Sequence, residues 1–538
     1  MDDLYRGVTS EKLGRYALIL LGIALAAGIF RFGMRRSVIG ISRHIEYDLR
    51  NRLFAHLQRL PLPYFQRQRT GEIMSRATND LAAVRMMVGP GLMQLVNTVV
   101  VAAVAIGSMI AISPRLTLYS LLPLPLVSFS VAYFGDRIHR RFERIQAEFA
   151  ALSARVQENL AGVRVVRAFA IEEAETGEFA RLNRGYLEKN LQLIQTSGSF
   201  YPALAFLGGL GALLALYLGG REAVAGRITL GQFVAFTVYL AMLNWPMVAL
   251  GWVINLFQRG TASFARLLEI LDREPEIASP RDALRPADAR GEIEFRNLTF
   301  TYPGADRAAL REVSFRVPAG GTVALVGRTG SGKSTVLSLL PRLFDPPPGT
   351  VFVDGVDVRR LDLAWLRRRI ACAPQDVFLF SATVAENIAY GVDRTGPADV
   401  ERVVGIAHLD GEARGFPQGF DTLVGERGIT LSGGQKQRVT IARALLRDAP
   451  VLLLDDCLSS VDTDTEEAIL GGLHREMRRR TTLLVSHRVS TVRDADLILV
   501  LEDGAIVERG GHEELLALGG RYAALHREQQ LEEELEAS

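Results

Sequence analysis

Two uncharged apolar runs, Gly89 to Ile112 and Leu116 to Gly135, are separated by only Ser113-Pro114-Arg115. A helix of about 20 apolar residues crosses roughly 30 Å of hydrocarbon, and lipid offers no partner for a backbone polar group, so the two runs read as a tight transmembrane hairpin. Ser197 to Gly220 and Ile228 to Phe257 repeat the arrangement around a polar piece that holds Arg221 and Arg227. Tyr16 to Phe30 is a shorter uncharged run, and it reaches spanning length as 14–34 if Arg31 and its flanks snorkel. The expected spans are 14–34, 89–112, 116–135, 197–220 and 228–257.

The rest of the 538-residue chain is ordinary in polarity, with 23% charged residues. A greasy part and a soluble part therefore share one chain, which excludes a single small soluble domain, collagen and disorder. Segments 35–88 and 136–196 are crowded with arginine and too polar for lipid, so the positive-inside rule makes them long cytoplasmic loops and turns the hairpin tips outward. Five spans with a cytoplasmic C-terminal half put the N-terminus outside, yet MDDLYRGVTSEK holds no cleavable signal. A further apolar helix preceded by basic residues is accordingly expected upstream of Met1. Net charge is +2, from 62 Lys+Arg against 60 Asp+Glu, which argues for no nucleic-acid partner. Cys372 and Cys457 cannot build a disulfide framework and read as small buried hydrophobes.

Asp272 to Arg290, rich in Pro, Ala and charge, reads as a linker between a membrane domain, 1–271, and a soluble domain, 291–538. In the latter, strand patterns (EIEFRNLTF, TVALVG, VLLLDD, TTLLVSH, DLILVLEDG) alternate with helical ones beginning at Lys333 and Thr463. The expected fold class is multidomain: an all-α transmembrane helical bundle followed by an α/β P-loop NTPase domain.

Gly327-Arg328-Thr329-Gly330-Ser331-Gly332-Lys333-Ser334 fits G-x-x-x-x-G-K-[ST] between an apolar strand and a helix. Glycines let successive N–H groups curl towards phosphate oxygens, Lys333 adds a point charge, and the Ser334 hydroxyl suits Mg²⁺. Leu452-Leu453-Leu454-Asp455 supplies a buried strand ending in a Mg²⁺-holding carboxylate. Leu431-Ser432-Gly433-Gly434-Gln435 opens a further helix, either as a second anion site or as a capped turn.

Together these motifs resemble the nucleotide-binding domain of ATP-binding cassette (ABC) transporters, and the first half resembles the membrane domain of ABC exporters. The resemblance implies ATP and Mg²⁺ as cofactors. By it, Gly327 to Thr335 cradle the phosphates, and Tyr302 stacks on adenine unless it is a core tyrosine. Gln375 touches Mg²⁺ and the attacking water, His487 contacts the γ-phosphate, and Ser432, Gly433, Gly434 and Gln435 close over the nucleotide of a second subunit. Ser459-Ser460-Val461-Asp462 matches the loop that crosses between nucleotide domains, and Gly425-Glu426-Arg427 an element facing the intracellular loops. Phe65 to Asp80 and Val165 to Arg184 resemble the two coupling-helix segments, with plain solvated helices as the alternative.

One departure is informative. The residue after the Mg²⁺ aspartate, Glu in hydrolysing members, is Asp456. Its carboxylate is one methylene shorter, and a 1 Å misplacement can cost about a hundredfold in rate. An intact LSGGQ beside a weakened carboxylate resembles the degenerate-site subunit of heterodimeric bacterial multidrug exporters. The expectation is an ATP-driven half-transporter in the cell inner (plasma) membrane, its nucleotide-binding domain cytoplasmic. Its partner would be a second ABC half-transporter, a heterodimer favoured over a homodimer, and its cargo an amphipathic drug, lipid or peptide met in membrane lipid. A fully active homodimer and a mainly regulatory ATP-binding subunit are the alternatives.

Overall fold

A computed structural model describes residues 9–537 except 414, 417, 426–430 and 462. Its contacts divide the chain into two units: one formed by the residues up to His56 and by Gly71–Arg273, the other by Leu57–Thr70 and the residues from Glu274 on.

The first unit is helical. Among the described residues five helices are long and apolar enough to cross a membrane: Ser10–Leu57, Thr70–Ile112, Pro114–Ala161, Glu172–Val224 and Leu230–Leu271. The segments 35–88 and 136–196, expected as loops, are instead largely the polar continuations of these helices. The 48-residue Ser10–Leu57 helix runs through Arg31, Arg35 and Arg36 without a break, since arginine is a good helix former and nothing breaks the helix there. Polarity decided where the lipid ends, and it said nothing about where the helix ends.

The hairpin turns are set locally. Ser113 is extended at φ −160° and its Oγ accepts the Leu116 N–H at 3.3 Å, with Pro114 at the first helical position. In the second hairpin Arg227 Nε donates to Glu222 at 2.6 Å, and Thr229 and Gln232 form a reciprocal capping box. Ala105, Met109, Leu116, Ala215, Phe236 and Leu243 form a buried cluster between these helices. In the polar extensions Glu46 is clasped by Arg43, Arg50 and Arg85 at 2.8 to 3.2 Å. Arg266 Nε donates to Asp80 Oδ2 at 3.0 Å.

The second unit carries two sheets. Strands β1 (Ile293–Phe300), β2 (Leu310–Val317), β4 (Val351–Val353) and β5 (Val356–Asp357) form an antiparallel sheet in the order β2-β1-β4-β5. Strands β3 (Thr322–Val326), β6 (Ile370–Ala373), β7 (Val451–Asp455), β8 (Thr481–Val485), β9 (Leu497–Glu502) and β10 (Ala505–Gly510) form the other, in the order β10-β9-β3-β8-β7-β6, parallel except at β10. β3 and β8 are buried at every position, as strands covered on both faces must be. The multidomain reading, helices followed by an α/β domain, holds.

The 272–290 linker is tethered to this unit: Leu284 bridges to Leu361, and Ser279 and Arg285 bond the Asp362 carboxylate. Cys457 is buried as expected, and burial pushes its thiol up to about 12. Cys372 departs from the expectation. It is exposed, because β6 ends the sheet and alternates Ala371 and Ala373 inward with Cys372 between them.

Candidate functional site

Four adjacent parallel strands deliver the predicted residues. Leu325 of β3 lies opposite Val485 of β8, Asp455 of β7 opposite that same Val485, and Ala373 of β6 opposite Leu454. Continuing each strand by one or two residues brings Gly327, His487, Asp456 and Gln375 out at one edge. The carboxyl ends of parallel strands are where open α/β sheets bind ligands, since the loops leaving them can converge.

Gly327 has φ +145°, and a Cβ there would stand 2.2 Å from the Leu501 carbonyl oxygen, so no other residue fits. The loop that follows wraps its own lysine. Lys333 is 5% exposed, and its Nζ donates to the carbonyls of Gly327 and Arg328, each at 2.8 Å. Burial pulls this ammonium below the usual lysine value, while the charges of Asp456 and Asp455 push it back up.

Ser334 Oγ donates to Asp455 Oδ1 at 3.0 Å. Burial raises the Asp455 carboxyl, as do the charges of Asp456 and Asp376, against the Ser334 hydrogen bond and Lys333. A carboxylate in that position is one a divalent cation would stabilise. No cluster of three His, Cys, Asp or Glu occurs among the described residues. A Mg²⁺ there would complete its shell with phosphate oxygens and water, its usual habit. The residues present fit that ion. Gln375 is exposed at the end of β6, one residue before Asp376.

Tyr302 is joined to the loop across 33 residues, its hydroxyl donating to Thr335 Oγ1 at 2.9 Å. Phe300 and Phe344 hold its ring edge-on at 5.1 and 4.9 Å. Asp456 is buried and has φ +46°, a left-handed backbone that Asp tolerates better than most residues. Its N–H donates to Val485 at 2.9 Å and its carbonyl accepts from Ser459 Oγ at 3.1 Å, so its main chain is fixed on both sides.

The glycine-rich segment is built separately. Ser432 caps the Gly433–Leu446 helix: its Oγ accepts the Gln435 N–H at 3.2 Å, and its own N–H donates to Gln435 Oε1 at 2.9 Å. The capped-turn reading of the sequence is thus present in the structure. Gln437, which sequence reasoning did not single out, donates to Ser459 Oγ at 3.0 Å and accepts the Ser460 N–H at 2.9 Å. A glutamine inside a helix reads as surface; only the fold shows it 4% exposed. Glu466 and Gln529, also within helices, were passed over for the same reason. Glu426, Arg427 and Asp462 lie outside the described residues.

A methyl at Gly434 would stand 2.9 Å from the Ser460 carbonyl oxygen. Gly434→Ala should therefore lever the 459–461 loop off this helix and destabilise the domain by roughly 1–3 kcal/mol, as overpacking does. Thermal melting of the purified protein checks it: an unchanged midpoint would mean that the close approach is not real.

An ATPase cradle on an α/β domain that follows membrane-length helices is the build of an ATP-driven membrane transporter. Comparison with known proteins narrows this. The family model for the ABC transporter transmembrane region matches residues 1–247, and the model for the ABC transporter domain matches 310–459. The chain is 38% identical to the "Probable multidrug resistance ABC transporter ATP-binding/permease protein YheI" of Bacillus subtilis (strain 168), over 99% of its own length and 91% of that protein's. It is 39% identical to the "Multidrug resistance-like ATP-binding protein MdlA" of Escherichia coli (strain K12), covering 98% and 89% of the two chains. It is also 35% identical to an "ATP-dependent lipid A-core flippase" of Syntrophus aciditrophicus (strain SB), covering 98% and 87%. A bacterial Atm1-family ABC exporter solved with ATP bound superposes with a TM-score of 0.80 at 30% identity, over 98% of this chain and 92% of that one.

The chain belongs to the ABC transporter family, as an exporter-type chain with its transmembrane region and ATPase domain fused. It is an ATPase coupled to transport, set in the inner membrane with its nucleotide-binding domain in the cytoplasm. Exporters of this type act as dimers.

Proposed function

We propose that this chain is one half of a heterodimeric exporter that moves an amphipathic drug, lipid or peptide outward. In this reading Gly327 to Thr335 and Tyr302 hold ATP, Ser334, Asp455 and Gln375 hold Mg²⁺, and His487 meets the γ-phosphate. Ser432 to Gln435 complete the site of the partner. The names of the relatives, for multidrug resistance and lipid A-core flipping, support the cargo class.

The observation that carries the reading is Asp456. A buried, short carboxylate on a main chain pinned at both ends cannot move forward to make up the missing methylene. The signature helix of the same chain is fully capped and suited to serve another site.

Purification of the full-length protein from its native membrane tests this, with a second ABC chain expected in equal amount. Asp456→Glu should raise turnover at this chain's own site by roughly tenfold to a hundredfold, the reach being worth about that much. Recovery of this chain alone, already hydrolysing at full rate and unimproved by Asp456→Glu, would establish the homodimer instead.

A further inference from the structure

The Arg521–Ala537 helix reaches the loop that follows β8. The Val489 N–H donates to Gln529 Oε1 at 2.8 Å, and Gln529 Nε2 donates to the carbonyl of His487. A backbone N–H can only donate and a carbonyl can only accept, so the orientation of the carboxamide is forced. One side chain thus spans His487 and the first residue of the short Val489–Val492 helix, whose leading N–H groups have no partner inside it.

The loop is held from a second side as well. Glu466, 3% exposed, pairs with the Arg488 guanidinium and accepts the Thr491 hydroxyl at 2.8 Å. Glu466 thereby fixes side chains beside His487, whereas Gln529 fixes the main chain at His487 itself.

The helix that carries Gln529 is anchored at its start. Tyr522 is 1% exposed, its hydroxyl lies 2.8 Å from His512 Nδ1, and its N–H donates to Glu508 at 3.1 Å. Its first turns also wall a cavity of about 340 Å³ whose other side is the phosphate loop, Gly327 to Ser331. A single element therefore borders both the loop expected to hold the phosphates and the loop expected to sense the last of them.

We infer that Gln529 is a positioning residue for ATP hydrolysis: it sets the main chain of His487 so that the imidazole meets the γ-phosphate. The inference rests on the role proposed above for His487. Without the carboxamide, the His487 carbonyl and Val489 N–H lose their partner and the loop relaxes, and displacement by about 1 Å costs up to about a hundredfold in rate. ATP binding rests chiefly on the phosphate loop and should be little changed.

The test is steady-state ATPase of the full-length transporter in lipid. Gln529→Ala should lower kcat by about tenfold or more and leave the KM for ATP within about twofold. Gln529→Glu keeps the size and the acceptor for Val489, so it preserves the fold, but it sets an oxygen lone pair against the His487 carbonyl; it should lose as much. Because Gln529 acts through His487, adding Gln529→Ala to His487→Ala should cost nothing further. Losses that multiply in the double variant, or parent turnover in Gln529→Glu, would overturn the inference. If His487→Ala is costly while Gln529→Ala is silent, the clamp is wrong and the role of His487 stands. If His487→Ala is itself silent, that role falls and the inference with it.

Discussion

Lys333→Ala should weaken ATP binding at this chain's own site by on the order of a hundredfold or more. The buried ammonium is held by the carbonyls of Gly327 and Arg328 at 2.8 Å, and in the function proposed above it exchanges those bonds for phosphate oxygens. Each charge-assisted hydrogen bond is worth about 1.5–3 kcal/mol, so losing one or two weakens binding by on the order of a hundredfold or more. The alanine variant also leaves two loop carbonyls without their donor, which loosens the cradle itself. Photolabelling of this chain by an azido-ATP, titrated with unlabelled ATP, measures the effect; equal affinity in variant and parent would sink the phosphate-loop assignment. The parent should also show a pH signature. Burial lowers the pKa of Lys333, and only the charged form attracts phosphate, so ATP affinity should begin to fall as pH rises while still below the ordinary lysine range.

The second large effect is expected from Ser432→Arg. Ser432 is exposed at the N-terminus of the signature helix, where a long cation would fill the space in which a partner's γ-phosphate is proposed to sit. Losing the cap costs about 1 kcal/mol, and the helix keeps its buried face, with Val439, Ile441, Ala442 and Leu445 fully enclosed. The domain should fold and still bind ATP at its own phosphate loop. Turnover of the assembled transporter should nevertheless collapse, and fall further than in Asp456→Asn, because in the heterodimer proposed above the latter removes only the weaker of two hydrolytic carboxylates. Steady-state ATPase of both variants decides the matter. Comparable losses would point to two equivalent sites, as a homodimer has.

The glycine-rich loop was legible because its pattern is local: the glycines, Lys333 and Ser334 lie within eight residues, although Gly327 is also required by the distant Leu501 carbonyl that a Cβ there would meet. The Asp455 strand was legible through its apolar run, and the membrane helices through their length without charge. Their cytoplasmic extensions were not. Hydropathy records which solvent a helix meets, and a helix leaving lipid for water changes its polarity without changing its backbone.

What the sequence determined by itself, then, is the pair of solvents this chain must satisfy and the glycine-rich loop with its lysine and serine, since both are written in contiguous residues. Only the tertiary structure decided how those groups are held. Parallel pairing brings Gly327, Gln375, Asp456 and His487 to one edge from strands up to 160 residues apart. Gln437, buried, and Gln529, half-buried, acquire their roles by bonding loops elsewhere in the chain. A carboxamide carries no charge and no periodic signature, so its importance arises where folding leaves a backbone N–H and a carbonyl with no other partner.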